Sequence, residues 1–359
     1  MKDKLIILFL STLSLFIGSC HNATEPDDGV ILTGKIVFSA STNTNDTTAI
    51  YTINPDGTDL TKLTTSPYSD RPIWSPDGTQ IAFIARSTVS SNTAIYIMNA
   101  DGSNLHILPV QPQSLADGRS PAWSPDGSKI VYNHMDGLNS YIVIVSLTDG
   151  KVLNFKNSNN TIKDFSPKWS PDGKKIAFLS NREYTNDTRN LTDLYIMDSD
   201  GNNVKRLTEL GGIFSYLWYP PDESIILSQN FIPGDIFIGK IYKIDTTGNI
   251  GIIYGLSASF GMAVTNDGKH LIFSHRGQLT LLDIPNVANV RDLYLNNSID
   301  FRFVPIEWSQ NDVTLLIISS SRDSKHSYLE LVNIFAKKEN LISKRIIQDD
   351  NIRSADWHK

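Results

Sequence analysis

Three stretches of this chain are nearly the same seven residues. It reads PIWSPDG around Trp74, PAWSPDG around Trp123 and PKWSPDG around Trp169. In each, Pro presets the second turn position, Asp suits the third, and Gly accepts the left-handed exit. An apolar run follows every time: QIAFIA after Gly78, KIVYNH after Gly127 and KIAFLS after Gly173. The unit is therefore strand, tight turn, strand, a β-hairpin. The large apolar residue before the turn finds cover only if neighbouring units pack against it. A unit of this kind recurring at a fixed period points to a propeller or an array.

The marker before the turn falls at Trp74, Trp123, Trp169, Trp218, Val264, Trp308 and Trp357, at spacings of 49, 46, 49, 46, 44 and 49. After each of the first six, an Ile or Leu follows seven residues on: Ile81, Ile130, Ile176, Ile225, Leu271 and Leu315. That constancy identifies WYPPDES, VTNDGKH and WSQNDVT as worn copies of the same hairpin. A second signature, AIYTINPDG (49–57), AIYIMNADG (94–102) and DLYIMDSDG (193–201), precedes short strands such as LTKLT (60–64). Each unit then has four strands, A to D, with tight Gly turns joining A to B and C to D.

The two ends complement one another. The first strand, KIVFSA (35–40), is a B strand with no A before it. The last residues, IRSADWHK (352–359), are an A strand with no B after them. Pairing them completes a seventh blade and removes the exposed edges an open sheet would leave. The expectation is an all-β, seven-bladed propeller of four-stranded antiparallel blades over residues 31–359, closed by the C-terminal strand against the N-terminal strands.

Residues 1–19 read as a signal peptide: MKDK is a basic start, and LIILFLSTLSLFI is an apolar core too short to span a bilayer comfortably. Ile17-Gly18-Ser19-Cys20 resembles the bacterial lipobox, which implies lipidation of Cys20, the single cysteine. A propeller with no other cysteine has no disulfide and depends on its core alone. Residues 20–30 form the lipidated cysteine and a polar, acidic tether. Losing Lys2, Asp3 and Lys4 takes the net charge from −6 to −7. That acidic balance argues against a nucleic-acid partner.

The repeat PxWSPDGxxIAF … IYIMNxDGxxLTxLT resembles that of the TolB propeller family, shared with the propellers of prolyl oligopeptidases and dipeptidyl peptidases. The resemblance is specific for fold and poor for function. TolB itself resembles a six-bladed propeller behind an α/β domain, whereas seven repeats are counted here and little chain separates Cys20 from Lys35. What depends on that α/β domain does not transfer.

Chain direction puts the short A–B and C–D turns on one face. The longer, irregular B–C and D–A connections lie on the other, which is the expected binding face. Its D–A loops are expected to bring Asp70, Arg71, Asp117, Arg119, Asp164, Asp300, Arg302, Asp349 and Asp350 to the mouth of the central channel. One reading is a solvated, self-paired rim. The other is an acidic funnel for a basic or cation-bearing partner. No loop shows the aspartate spacing of a dedicated calcium site, and no cofactor or metal is expected.

Catalytic signals are weak. Gly255-Leu256-Ser257-Ala258-Ser259 lacks the final Gly of a nucleophile elbow and sits in a D–A loop. Some propellers with similar repeats are pectin-degrading lyases that use His and a metal. His134 and His275 end equivalent B strands, but three blades apart, too far to share an ion, and read as surface or satisfied structural residues. Arg86, Arg182, Arg276 and Arg322 follow strand B and read as structural, pairing with the backbone or an acid of a neighbouring blade. Asp77, Asp126 and Asp172 are turn residues.

The leading expectation is a monomeric, non-enzymatic propeller. It is exported, lipid-anchored in the bacterial envelope on the periplasmic or surface side of the outer membrane, and binds a protein or glycan partner through its irregular face. TolB-like propellers present theirs to an envelope lipoprotein. The alternative is a carbohydrate-active lyase or hydrolase.

Overall fold

The computed structural model describes residues 32–41, 48–65, 68–86, 93–108, 121–136, 139–156, 159, 161–185, 191–229, 239–255, 260–275, 278–284, 289–293, 301–321, 327–335, 343–349 and 352–358. Among them are seven four-stranded antiparallel sheets, each ordered A-B-C-D. Blades 1 to 6 begin with the A strands Ser69–Trp74, Ala122–Trp123, Asp164–Trp169, Ile213–Tyr219, Phe260–Val264 and Phe301–Trp308. Blade 7 takes strand A from Ile352–His358 and strands B to D from Lys35–Ser41, Thr48–Ile53 and Thr61–Lys62. Its register matches Ile36 with Trp357 and Val37 with Asp356.

The core lies between blades. Successive residues of a strand face opposite sides, so Ile36 packs towards blade 6 while Val37 packs towards blade 1. There are seven apolar clusters among the described residues, one at each seam of the ring. All six tryptophans are at least nine-tenths buried. Three of them donate from the indole to a backbone carbonyl, two across a seam and Trp357 to the segment that leads into its own blade. Trp169 donates to the Ala122 carbonyl at 3.2 Å, Trp218 to Lys168 at 3.2 Å and Trp357 to Thr33 at 3.1 Å.

The Ser-Pro-Asp-Gly turn closes on itself. Ser75 Oγ donates to Asp77 Oδ1 at 2.6 Å and accepts the Gln80 amide at 2.9 Å, while Asp77 Oδ1 also accepts the Thr79 amide. Ser124 and Asp126, Ser170 and Asp172, and Thr265 and Asp267 repeat the arrangement. These hydrogen bonds favour the charged carboxylate and hold the Asp77 and Asp126 carboxyls below their usual range. Gly78 (φ 68°) needs its conformation and its lack of a side chain, since a Cβ there would run into the His358 ring.

Most A strands carry a bulge two to five residues before the marker. Arg71 (φ 57°) and Ser166 (φ 51°) sit in these bulges with left-handed backbones, each immediately before a proline. Such conformations are strained and re-aim side chains at the inner end of the irregular face.

Candidate functional site

The anticipated rim residues divide. Asp117, Arg119, Asp300 and Asp350 lie outside the described residues, as do the side chains of Arg302 and Asp349. Asp70 and Asp164 are described, and neither is an exposed loop charge: 4 % and 0 % of their surface is accessible. Strand A already runs in register with strand B at these positions, Asp70 opposite Ile84 and Asp164 opposite Ser180. Both carboxylates are therefore enclosed between blades.

Asp164 is neutralised by Arg182, with Nη2 to Oδ2 at 2.8 Å and Nε to Oδ1 at 3.2 Å. The structural reading of Arg182 holds, but its acid belongs to its own blade. A second buried carboxylate, Asp193, was not singled out from the sequence. It accepts Arg206, the Tyr184 hydroxyl (2.9 Å), the Thr208 hydroxyl (2.7 Å) and the amides of Leu210 and Gly211 (3.0 and 3.1 Å). The signal for it is an acid where the matching strands carry Ala49 and Ala94.

Asp70 organises the seam between blade 7 and blade 1. Its Oδ1 accepts Ser39 Oγ at 2.6 Å, the Arg71 amide at 2.8 Å and Ser354 Oγ at 3.2 Å. The Ser354 hydroxyl also accepts the Arg71 amide at 3.1 Å. Arg71 Nε stands 3.9 Å from Asp70 Oδ2. Beside them, the Arg86 guanidinium lies over the Tyr68 ring, 5.4 Å from its centroid, and the Arg86 amide donates to the Tyr68 carbonyl at 3.0 Å. Arg353 precedes Ser354, and its positive charge acts on the same phenol. Burial raises the Tyr68 hydroxyl above its usual range and Asp70 adds to that, while Arg353, Arg71 and Arg86 oppose it. Arg86 thus covers Tyr68 and Arg71 stands beside Asp70 at the same seam. Tyr68 lies in a D–A connection, Arg86 ends a B strand and Arg353 begins an A strand, so the group belongs to the irregular face. Of its members, the sequence pointed to Asp70 and Arg71 as rim residues and to Arg86 only as structural.

Lys168 lies on an innermost strand. It is exposed although protein surrounds it, as a side chain in a central channel is. Its Nζ donates to the Tyr216 carbonyl at 2.7 Å and lies 5.1 Å from the Tyr216 ring centroid. Desolvation lowers its pKa to about 8. On the opposite face, a cleft of about 360 Å³ between blades 3 and 4 is lined by Asp172, Lys174, Lys175, Asp198, Trp218 and Glu223. Its lysines are paired, Lys174 with Asp172 at 2.8 Å and Lys175 with Asp198 at 2.9 Å.

His134 is buried, with its ring centroid 5.2 Å from that of Tyr141. The His275 side chain, Arg276, Arg322 and Leu256–Ser259 lie outside the described residues. Among the described residues no group of three or more His, Cys, Asp or Glu is placed to hold a metal ion. No helix among them is long and apolar enough to cross a membrane.

A seven-bladed propeller closed by its C-terminal strand, with satisfied turns on one face and convergent charged groups on the other, is the class that fold and site define. The chain belongs to the family described as the TolB beta propeller domain, whose model matches residues 82–358. No curated protein matches it. Among solved structures, it is similar to TolB from Acinetobacter baumannii at 17% identity and a TM-score of 0.54, over 91% of this chain and 67% of that one. It is also similar to an oligogalacturonate lyase in complex with manganese, at 13% identity and a TM-score of 0.60, over 76% of this chain and 79% of the other. A puromycin-hydrolyzing peptidase from Mycobacterium tuberculosis is similar at 16% identity and a TM-score of 0.62, over 86% of this chain and 50% of that one. At these identities the likenesses show the fold alone, and that fold occurs in proteins named as TolB, as a lyase and as a peptidase.

Proposed function

We propose that the chain is a non-enzymatic propeller that captures a protein or glycan partner in the bacterial envelope through its B–C and D–A face, held to the membrane by lipid on Cys20. The contrast between the two faces carries this reading. On the tight-turn face, Asp77, Asp126, Asp172 and Asp267 spend their carboxylates on their own turns. On the other face, Arg86 over Tyr68 and Arg71 beside Asp70 stand at one seam, in connections that no repeated turn chemistry dictates. Chain direction adds support. Leu32 leads into strand Lys35–Ser41, which starts at the tight-turn face beside Trp357. A lipid attached upstream would hold that face towards the membrane and present the irregular face outward.

Two measurements test it. Mass spectrometry of the mature N-terminus should find Cys20 acylated, and an unmodified Cys20 would remove the anchor. Immobilised protein should capture an envelope component, and substitutions on the irregular face should abolish capture while substitutions at the tight turns spare it. Cleavage of polyuronates by the purified protein, lost on changing His134 or His275, would replace the binding reading with a lyase.

A further inference from the structure

We propose that the cleft between blades 3 and 4 on the tight-turn face binds an amino sugar, a single hydroxylated ring carrying a free ammonium, and that Glu223 holds the ammonium. The site goes beyond the reading of the opposite face as a partner-binding face and does not rest on it.

This seam has a reason to stay open. Where blades 1 and 2, 2 and 3, and 4 and 5 meet, a proline of one A–B turn (Pro76, Pro125 or Pro221) packs on the glycine of the next (Gly127, Gly173 or Gly268). Between blades 5 and 6 the second turn has no glycine, and Asn266 reaches across instead, to the Asp312 carboxylate at 2.7 Å and the Ser309 carbonyl at 3.2 Å. The blade 4 turn, PPDES (220–224), also lacks glycine. Among the described residues, its Asp222 bonds Ser224 and Lys243 of its own blade and nothing in the blade 3 turn. The cleft of about 360 Å³ lies there, within the size range of small-molecule sites.

Glu223 is the second observation. In blades 1, 2, 3 and 5 the left-handed residue of the turn is Gly78, Gly127, Gly173 or Gly268; in blade 4 it is Glu223, at φ 55°. That conformation strains a glutamate and not a glycine. The Glu223 side chain lines the cleft, is exposed, and makes no ion pair or hydrogen bond among the described residues. Lys174 and Lys175 already pair with Asp172 and Asp198. The lining thus sets three carboxylates against two ammoniums, a net of −1, and one positive group balances it. An organic ammonium suits the place better than a metal ion, because among the described residues no three acidic or His side chains are placed to hold one.

The rest of the lining suits hydroxyls. Ser199 and Thr246 border the cleft, and their hydroxyls bond no described residue; each can donate and accept. Lys174 and Lys175 keep N–H donors beyond those given to their aspartates. Trp218 adds an apolar wall, its indole fixed by the bond to the Lys168 carbonyl, on which the carbon face of a ring can lie. An ammonium flanked by hydroxyls on one ring answers to the carboxylate, the donors and the wall together.

The test titrates the whole protein calorimetrically with glucosamine, at a mildly acidic pH that keeps its amine protonated. N-acetylglucosamine, glucose and ethylamine are the comparison probes. Glucosamine should bind roughly tenfold or more tightly than the two sugars that lack the charge and than ethylamine, which lacks the hydroxyls. Glu223→Gln should lower glucosamine affinity by roughly tenfold and leave glucose unchanged. Glu223→Gly should show the same loss with an unchanged or raised melting temperature, since it removes the left-handed strain; the loss is then not one of folding. Glucosamine bound no more tightly than glucose, or no more tightly than ethylamine, overturns the proposal. So does glucosamine affinity that is intact in the folded Glu223→Gly protein, and so does a wild-type protein that binds none of the four.

Discussion

The indole of Trp357 donates to the carbonyl of Thr33 at 3.1 Å, across 324 residues of sequence. The same strand places Asp356 Oδ2 at 2.7 Å from the Trp74 amide in blade 1, and His358 against the turn at Gly78. Three consecutive residues of the last strand thus tie blade 7 to itself and to the next blade.

Removing Ser354–Lys359 should therefore abolish cooperative folding, although six residues are lost, because it strips the inner strand from blade 7 and opens its edge. Trp357→Ala should cost about 3–5 kcal/mol, as for a core aromatic. Calorimetry of both proteins decides. A truncated protein that melts with the wild type would be incompatible with this closure.

Arg182→Met should destabilise the protein by about 3–5 kcal/mol, since it leaves the Asp164 carboxylate buried and uncompensated. Adding Asp164→Leu to that variant should recover much of the loss. Denaturant titrations of the single and double variants measure the coupling. A single variant as stable as wild type would mean that Asp164 is not enclosed in solution.

Turn carboxylates give a pH dependence of known sign. The Lys174 ammonium, with the Ser170 hydroxyl, lowers Asp172 to about 2, and Lys269, with the turn amide, lowers Asp267 to about 2. An unfolded aspartate titrates near 3.9. Their stabilisation is complete above about pH 4 and lost as pH falls towards about 2. The natural repeat at Ser309 uses Asn311 Oδ1 as the same acceptor at 2.7 Å. Asp172→Asn with Asp267→Asn should accordingly keep the turns and flatten the acid limb of melting temperature against pH. An unchanged acid limb would assign the pH dependence to other groups.

Lys168 should react with an amine acylating reagent with a midpoint near pH 8, below the ordinary lysine range of about 10.4. The unfolded lysine holds its proton to higher pH than the folded one, so stability should rise between those values. Peptide mapping by mass spectrometry after labelling across pH reads this directly. Labelling that tracks surface lysines such as Lys174 would show that the channel does not desolvate the amine.

The blade count and the closing pair were legible because tight turns impose local chemistry on every copy. Ser75, Asp77 and Gly78 each have a backbone reason to be what they are, and the reason recurs. The site was legible only in part. Asp70 and Asp164 look alike as loop acids, and nothing local says that a bulge at Arg71 and Ser166 turns the strand so that both carboxylates are enclosed. Arg86 and Arg182 look like one repeated structural residue, but the register matches Arg86 with Asn181, one position before Arg182. Grouping Arg71 with Arg353 requires the ring to be closed, because 282 positions separate them in the chain.

The innermost strand of blade 7, Ile352–His358, is the last strand of the ring to leave the ribosome. Until it does, strand Lys35–Ser41 waits with one edge open, and six blades can form without a seventh to lock them. The arginine group straddles that lock, since Arg353 arrives with the final strand while Arg71 and Arg86 are made early. A ring interrupted during synthesis would therefore keep Arg71 and Arg86 but lack Arg353, so the completed seam of blades 7 and 1 marks a finished molecule.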